Sequence, residues 1–247
     1  MQSLSKLVAV AGAASRRKAV DLIRAGRVKI SGRVVLNPAL HVDPEAATIT
    51  LDGRPLRVEP RVYLLMNKPA GVLSAVSDTR GRQTVADIVP ERLRAVGLHP
   101  VGRLDRDTTG LLLLTNDGDL TYRLTHPRYE VEKEYWLAVE GELTDDQVEA
   151  LGRGVEIDGS VRAPVAVRRL EDAEPYQLAV IIKEGRRRQV RRMLAAVGAD
   201  VQLLRRVREG SLRLGDLPTG AVRPLSDGEM RLLRPKSRTR GRPASKR

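Results

Sequence analysis

Apolar positions recur along the chain with two periods, and the changes of period divide it into elements. Ser3 to Ala11 predicts a short helix that Gly12 interrupts. Ser15 then stands as the N-cap of a second helix, which buries Ala19, Leu22 and Ile23 and stops at Gly26. Alternation takes over at Val28 and Ile30, passes a Ser31-Gly32 turn and resumes at Val34, which predicts a hairpin. Thr48 to Leu51 forms a further short strand between Asp43-Pro44 and Asp52-Gly53. Residues 1–60 therefore form a compact unit of two helices and a small sheet.

From Tyr63 to about Pro235 the pattern is mixed. Strands are expected at Tyr63–Met66, Leu111–Thr115, Tyr135–Val139, Leu178–Ile182 and Val201–Leu204. Helices are expected at Leu120–Thr125, Asp145–Leu151 and Gln189–Val197. Their irregular order is not a steady βαβα alternation and indicates an α+β fold with a mixed sheet. Residues 236–247 have no apolar period and six cations without an acid, so they read as a disordered basic tail.

Composition narrows the class. Hydrophobic residues make up 41% of 247, enough for a sizeable core, although the chain has no Phe, one Trp and five Tyr. Its longest apolar run, Leu7 to Ala14, is far short of the roughly 20 residues that span a bilayer. No charged-then-apolar leader opens the chain, so a cytoplasmic protein is expected. Zero Cys excludes disulfides, thiolate zinc sites and a cysteine nucleophile. His41, His99 and His126 are scattered, and no metal site is read from them.

Charge suggests the partner. With 44 Lys+Arg against 31 Asp+Glu, the formal balance is 44 − 31 = +13. That excess favours a polyanion such as nucleic acid. Only 8 of the cations are Lys, leaving 36 Arg, whose planar fork suits phosphates and base stacking.

Three segments concentrate candidate chemistry. Ser15-Arg16-Arg17-Lys18 puts three cations at a helix N-terminus, the end already carrying partial positive charge. Exposed cations there cost roughly 0.3–1 kcal/mol each. An arriving phosphate would reverse that cost, with free backbone N–H groups beneath it and Arg27 and Lys29 nearby. The segment SLSKLVAVAGAASRRKAVDLIRAGRVKISGRVV also resembles the RNA-binding alpha-L module shared with the fourth protein of the small ribosomal subunit.

The second segment is Gly102-Arg103-Leu104-Asp105-Arg106-Asp107-Thr108-Thr109-Gly110 followed by Leu111–Leu114. It begins like a calcium loop, but the twelfth position is Asn116 and four Leu fill its back half, so that reading fails. A carboxylate between Arg103 and Arg106 stays ionised and is suited to act as nucleophile or as stabiliser of a sugar cation. A salt-bridged turn leading into a buried strand is the competing reading of the same residues.

GRLDRDTTGLLLLTNDG resembles the central motif of pseudouridine synthases of the RsuA/RluB family, whose essential aspartate corresponds to Asp105. YLLMNKPAGVLS resembles the family's first motif at Asn67, Lys68 and Pro69. EVEKEYWLAV resembles the motif that supplies an active-site tyrosine, here Tyr135. The third segment, KEGRRRQVRRML, resembles the motif of a catalytic arginine, best matched by Arg191. As a helix starting near Arg188, it would set Arg188, Arg191 and Arg192 on one side, with Arg186 and Arg187 toward the RNA backbone.

The resemblance implies a small RNA-binding domain (1–60) and a catalytic domain with a mainly antiparallel mixed sheet (61–235). It also implies cofactor-free isomerisation of a uridine in ribosomal RNA. Asp105, Tyr135 and Arg191 would be catalytic. Arg16, Arg17, Lys18, Arg27, Lys29, Asn67, Lys68, Arg103, Arg186 and Arg188 would contact RNA. Tyr135 would stack on a uridine flipped out of its helix, and Arg103 would help fill the space it leaves. Branch cues, LSAVSDTRGRQTV and LGRGVEIDG among them, point to the large ribosomal subunit. A monomer is expected. The rivals are a small-subunit enzyme of RsuA type and a non-catalytic assembly factor.

Overall fold

The computed structural model describes residues 1–43, 46–57 and 60–233. The expected basic tail, 236–247, lies outside the described residues.

In the first unit β1 (Gln2–Ser3) leads into α1 (Leu4–Val10), and α2 (Arg16–Arg24) follows. Ser15 caps α2 by accepting a hydrogen bond from the Lys18 amide at 3.3 Å. β2 (Val28–Ile30) turns back into β3 (Arg33–Val34) through Ser31 and Gly32, both at positive φ, as a two-residue hairpin of matching twist demands. β4 (His41–Val42) pairs with β1, while β5 (Ile49–Leu51) and β6 (Arg54–Pro55) complete a four-stranded sheet in the order β3-β2-β5-β6. The helices close over this sheet, with Leu4, Leu7, Val8, Ala19, Ile23, Val28, Val42 and Ile49 as one cluster.

The second unit begins with β7 (Tyr63–Lys68), α3 (Val85–Ile88), β8 (His99–Pro100), β9 (Thr109–Thr115), α4 (Gly118–Thr125) and β10 (Lys133–Val139). It continues with α5 (Asp145–Arg153), a hairpin of β11 (Val155–Ile157) and β12 (Ser160–Arg162), then β13 (Ala166–Arg169), β14 (Leu178–Ile182) and α6 (Gln189–Ala196). β15 (Val201–Glu209), β16 (Leu212–Arg213), β17 (Val222–Pro224) and α7 (Asp227–Leu233) follow. The main sheet runs β13-β14-β10-β15-β9-β7-β17, with β16 on β15 and β8 on β9. Every pairing in it is antiparallel except β15 with β9. The α+β reading with a mainly antiparallel sheet holds.

The two central apolar runs explain why this sheet is covered on both sides. Leu64, Met66, Leu112 and Leu114 face a core shared with Tyr135, Leu137, Val190 and Met193. The alternate residues Leu65, Leu111 and Leu113 face a second core with Leu120, Leu124 and Leu212. Thus α6 packs on one face and α4 on the other. β15 runs five residues beyond its expected end at Leu204, because Arg206, which alternation places inward, is buried with Glu209 as a charge partner. Among the described residues, no helix is long and apolar enough to cross a membrane.

Candidate active site

A cavity of about 300 Å³ opens on the α6 face of the sheet. Arg103, Asp105, Thr108, Tyr135 and the run from Gly185 to Val190 line it, with Leu104, Ile182 and Leu204 as its apolar floor. Segments far apart in sequence converge here, and Asp105 and Tyr135 stand in the same wall system.

Asp105 sits half-buried on the loop between β8 and β9. A set of hydrogen bonds holds this loop from behind. Lys68, fully buried at the end of β7, donates from Nζ to the carbonyls of Pro69 (3.0 Å), Arg106 (3.0 Å) and Thr108 (2.9 Å). The Ser74 hydroxyl donates to the Leu104 carbonyl and accepts from the Leu104 amide. Gly71 exchanges bonds with Arg106 in both directions: its amide donates to the Arg106 carbonyl, and its carbonyl accepts from Arg106 Nε. The loop ends at Gly110, φ 101°, where a Cβ would lie 2.2 Å from the Arg206 carbonyl oxygen. Only glycine fits where β9 meets β15 that closely.

Lys68 therefore corrects one expectation. Its ammonium cannot reach RNA, since it is occupied by three main-chain carbonyls inside the protein. Burial pulls its pKa down to about 8, against the opposing pull of the Asp107 and Asp105 carboxylates. Asn67 is corrected likewise. It is 1% exposed, and its Nδ2 donates to the Leu217 carbonyl, tying β7 to the loop before β17.

Tyr135, on β10, presents its ring to the cavity while burial holds the phenol above its usual pKa and so neutral. The Arg206 charge faces its hydroxyl and opposes the upward pull of burial. Arg206 donates from Nε to the Leu111 carbonyl at 2.8 Å and lies 3.3 Å from Glu209. Burial opposes the charge on Arg206, yet Glu209 and the Tyr135 hydroxyl hold its pKa above the usual arginine value. Lys133 lies beside this pair, its own pKa lowered by burial. Sequence reading missed Arg206; simple alternation would send Arg206 and Glu209 to opposite faces, and the register shift between them, which skips Val207, is what buries both.

The arginine run does not form the single face expected of it. Arg188 stands at the N-cap of α6 with left-handed angles (φ 50°, ψ 32°), so it belongs to the cavity wall and not to the helix stripe. Arg192 turns away to pair with Asp158 on the β11–β12 turn. Arg191 is half-buried behind the wall and donates from Nη1 to the Val201 carbonyl at 2.5 Å. Burial and the like charge of Arg188 lower its pKa, while the Asp105 and Asp107 carboxylates attract it. Among the described residues it makes no direct ion pair with Asp105 within 4 Å. Gln189 staples the preceding loop, accepting from the Arg186 amide and donating to Glu184. Arg186 and Arg187 remain exposed in the cavity mouth, as does Arg103 on the opposite loop.

In the first unit Arg16, Arg17, Lys18 and Lys29 are exposed. Arg27 is exposed too, but it forms a two-pronged pair with Asp52. These cations lie outside the cavity.

Comparison with known proteins bears on both units. Residues 62–196 match the family model for RNA pseudouridylate synthase, and residues 2–47 match the S4 domain. The chain is 41% identical over 240 residues to ribosomal large subunit pseudouridine synthase B of Bacillus subtilis, covering 95% of this chain and 96% of that protein. It is 37% identical to an uncharacterised RNA pseudouridine synthase of Aquifex aeolicus, over 93% of this chain and 92% of the other. A solved pseudouridylate synthase superposes with a TM-score of 0.67 at 32% identity, over 94% of this chain and all of that one. With Asp105 and Tyr135 in one cavity and these matches along both units, the chain belongs to the RNA pseudouridylate synthase family and carries an S4 domain at its N-terminus.

Proposed function

We propose that this enzyme converts one uridine of large-subunit ribosomal RNA to pseudouridine. The observation that carries the reading is the near full-length identity to the Bacillus large-subunit enzyme, 41% over 95% of the chain. The uracil N1–C1′ bond breaks, the base turns within the cavity, and a C5–C1′ bond forms while C5 loses its proton and N1 gains one. Atoms and electrons balance within the nucleotide, so the reaction draws on no cofactor.

Asp105 is the group that meets the sugar, because it is the carboxylate in the cavity wall. Tyr135 stacks on the flipped base with a phenol that stays neutral. Arg103 fills the vacated place in the RNA helix, and Arg191 supplies positive potential behind Asp105. Arg186 and Arg188 receive the backbone near the target, and Arg16, Arg17, Lys18, Arg27 and Lys29 of the first domain (1–60) bind flanking phosphates. The protein works as a cytoplasmic monomer on ribosomal RNA. Mapping pseudouridines in both ribosomal RNAs of a strain lacking the gene tests this: loss of one large-subunit pseudouridine is expected. Loss from the small subunit instead, or no loss, overturns the assignment.

A further inference from the structure

Two of the five tyrosines lie at the surface. Tyr122 on α4 is 44% exposed and Tyr129, in the turn after it, is 40% exposed. Their ring centroids lie 5.9 Å apart at 88°. His126 packs on Tyr122 at 4.6 Å, and the Arg128 guanidinium lies 4.9 Å from one tyrosine ring and 4.6 Å from the other. Arg128 also donates to the Tyr129 hydroxyl. A chain with no Phe and a single Trp thus assembles three aromatic rings and a cation into one exposed ridge.

Residues next to the ridge touch two segments that run into the cavity wall. Thr125, at the end of α4, is close enough to Gly102 that a Cβ there would meet it at 3.3 Å, and Gly102 precedes the cavity residue Arg103. Glu130, directly after Tyr129, pairs with Lys183 at 3.3 Å, and Lys183 leads into the Gly185–Arg188 wall. Exposed tyrosine rings with an arginine against them suit the stacking of unpaired bases, while the guanidinium suits the adjoining phosphate.

We propose that Tyr122, Tyr129 and Arg128 form a stacking subsite for an unpaired RNA base flanking the uridine in the cavity. The assignment rests on the RNA-modifying reading above and deepens it. The subsite holds the strand as it leaves the cavity, and it favours targets whose neighbouring nucleotide is unpaired.

The test compares fluorescein-labelled octauridylate with an octamer of the same charge in which the six central nucleotides are abasic. Tyr122→Leu/Tyr129→Leu should bind octauridylate about tenfold more weakly than the parent and bind the abasic octamer equally well, which also shows the fold is intact. Tyr122→Phe/Tyr129→Phe keeps the rings and should retain parental affinity. Equal weakening of both oligomers by the Leu pair, no weakening of either, or loss of affinity in the Phe pair overturns the proposal. Pseudouridine formation by the parent on ribosomal RNA is measured in parallel, so failure of the catalytic reading is seen separately from failure of the subsite.

Discussion

The loop that carries Asp105 and the helix end that carries Arg16, Arg17 and Lys18 present charge by opposite means. Asp105 is fixed by groups set behind its loop: the Lys68 ammonium, the Ser74 hydroxyl and the β9–β15 contact at Gly110. The cations of α2 stand on an exposed helix end that the Ser15 side chain caps. Position is over-determined in the first region and loosely set in the second. Bond-making needs reacting atoms placed to a fraction of an ångström, whereas phosphate attraction works through mobile, additive charges. Substitutions should therefore act steeply in one region and gradually in the other.

The steepest effect tests the chemistry itself. Asp105→Asn is nearly isosteric, so folding and RNA affinity should survive while turnover falls by at least about a thousandfold. A single-turnover assay that finds more than a tenth of the parental rate would remove Asp105 from the reaction.

Lys68→Met probes the support and not the chemistry. Three buried carbonyls lose their donor, which should cost about 3 kcal/mol in a denaturant titration. The loosened loop should lower kcat about a hundredfold with little change in RNA affinity. The pH dependence has a definite sign. Because the folded protein releases the Lys68 proton near pH 8 and the unfolded chain only near 10.5, the parent gains stability relative to Lys68→Met as pH rises through that window. If affinity instead falls with kcat unaltered, Lys68 contacts RNA after all.

A smaller effect is expected for Arg191→Ala. Removing a guanidinium that the Asp105 and Asp107 carboxylates attract should lower kcat about tenfold in a single-turnover assay, with RNA affinity little changed. An unaltered kcat would assign Arg191 to holding the Val201 carbonyl alone.

The gradual region gives the mildest result. Replacing Arg16, Arg17 and Lys18 together by Gln should leave the catalytic rate on a short RNA intact and weaken binding of a structured ribosomal fragment. The slope of log affinity against log salt should flatten by about 0.9 for each duplex phosphate that the protein no longer neutralises. An identical slope would mean that these residues are only a solvated surface.

The boundary between what the residues announced and what they hid follows the same division. Periodicity placed most strands and helices because their apolar faces are continuous, as in Leu111–Leu114 and at Ala19, Leu22 and Ile23 of α2. It stopped β15 short because alternation cannot distinguish a surface arginine from Arg206, whose charge is matched by a carboxylate three residues on. Motif resemblance singled out Asp105 and Tyr135, which do share one cavity, but it also set Asn67 and Lys68 against RNA. A motif records that a residue recurs; only burial shows that these two face inward. Helical spacing likewise grouped Arg188 with Arg191 and Arg192, although α6 starts one residue later and Asp158 draws Arg192 aside.

The parallel junction of β9 and β15 also has a consequence for how the protein comes into being. β15 lies between β10 and β9 in the sheet, yet it is made about ninety residues after β9 in the chain. During synthesis, β7 and β9 can form a ribbon early, and β10 can wait, but the central gap stays open until the segment ending at Glu209 leaves the ribosome. Gly110 finds its partner, Tyr135 its arginine and the cavity its floor only at that late moment. The nascent chain thus passes most of its synthesis with the S4 unit complete and the catalytic centre unassembled, and pairings across so many residues close slowly.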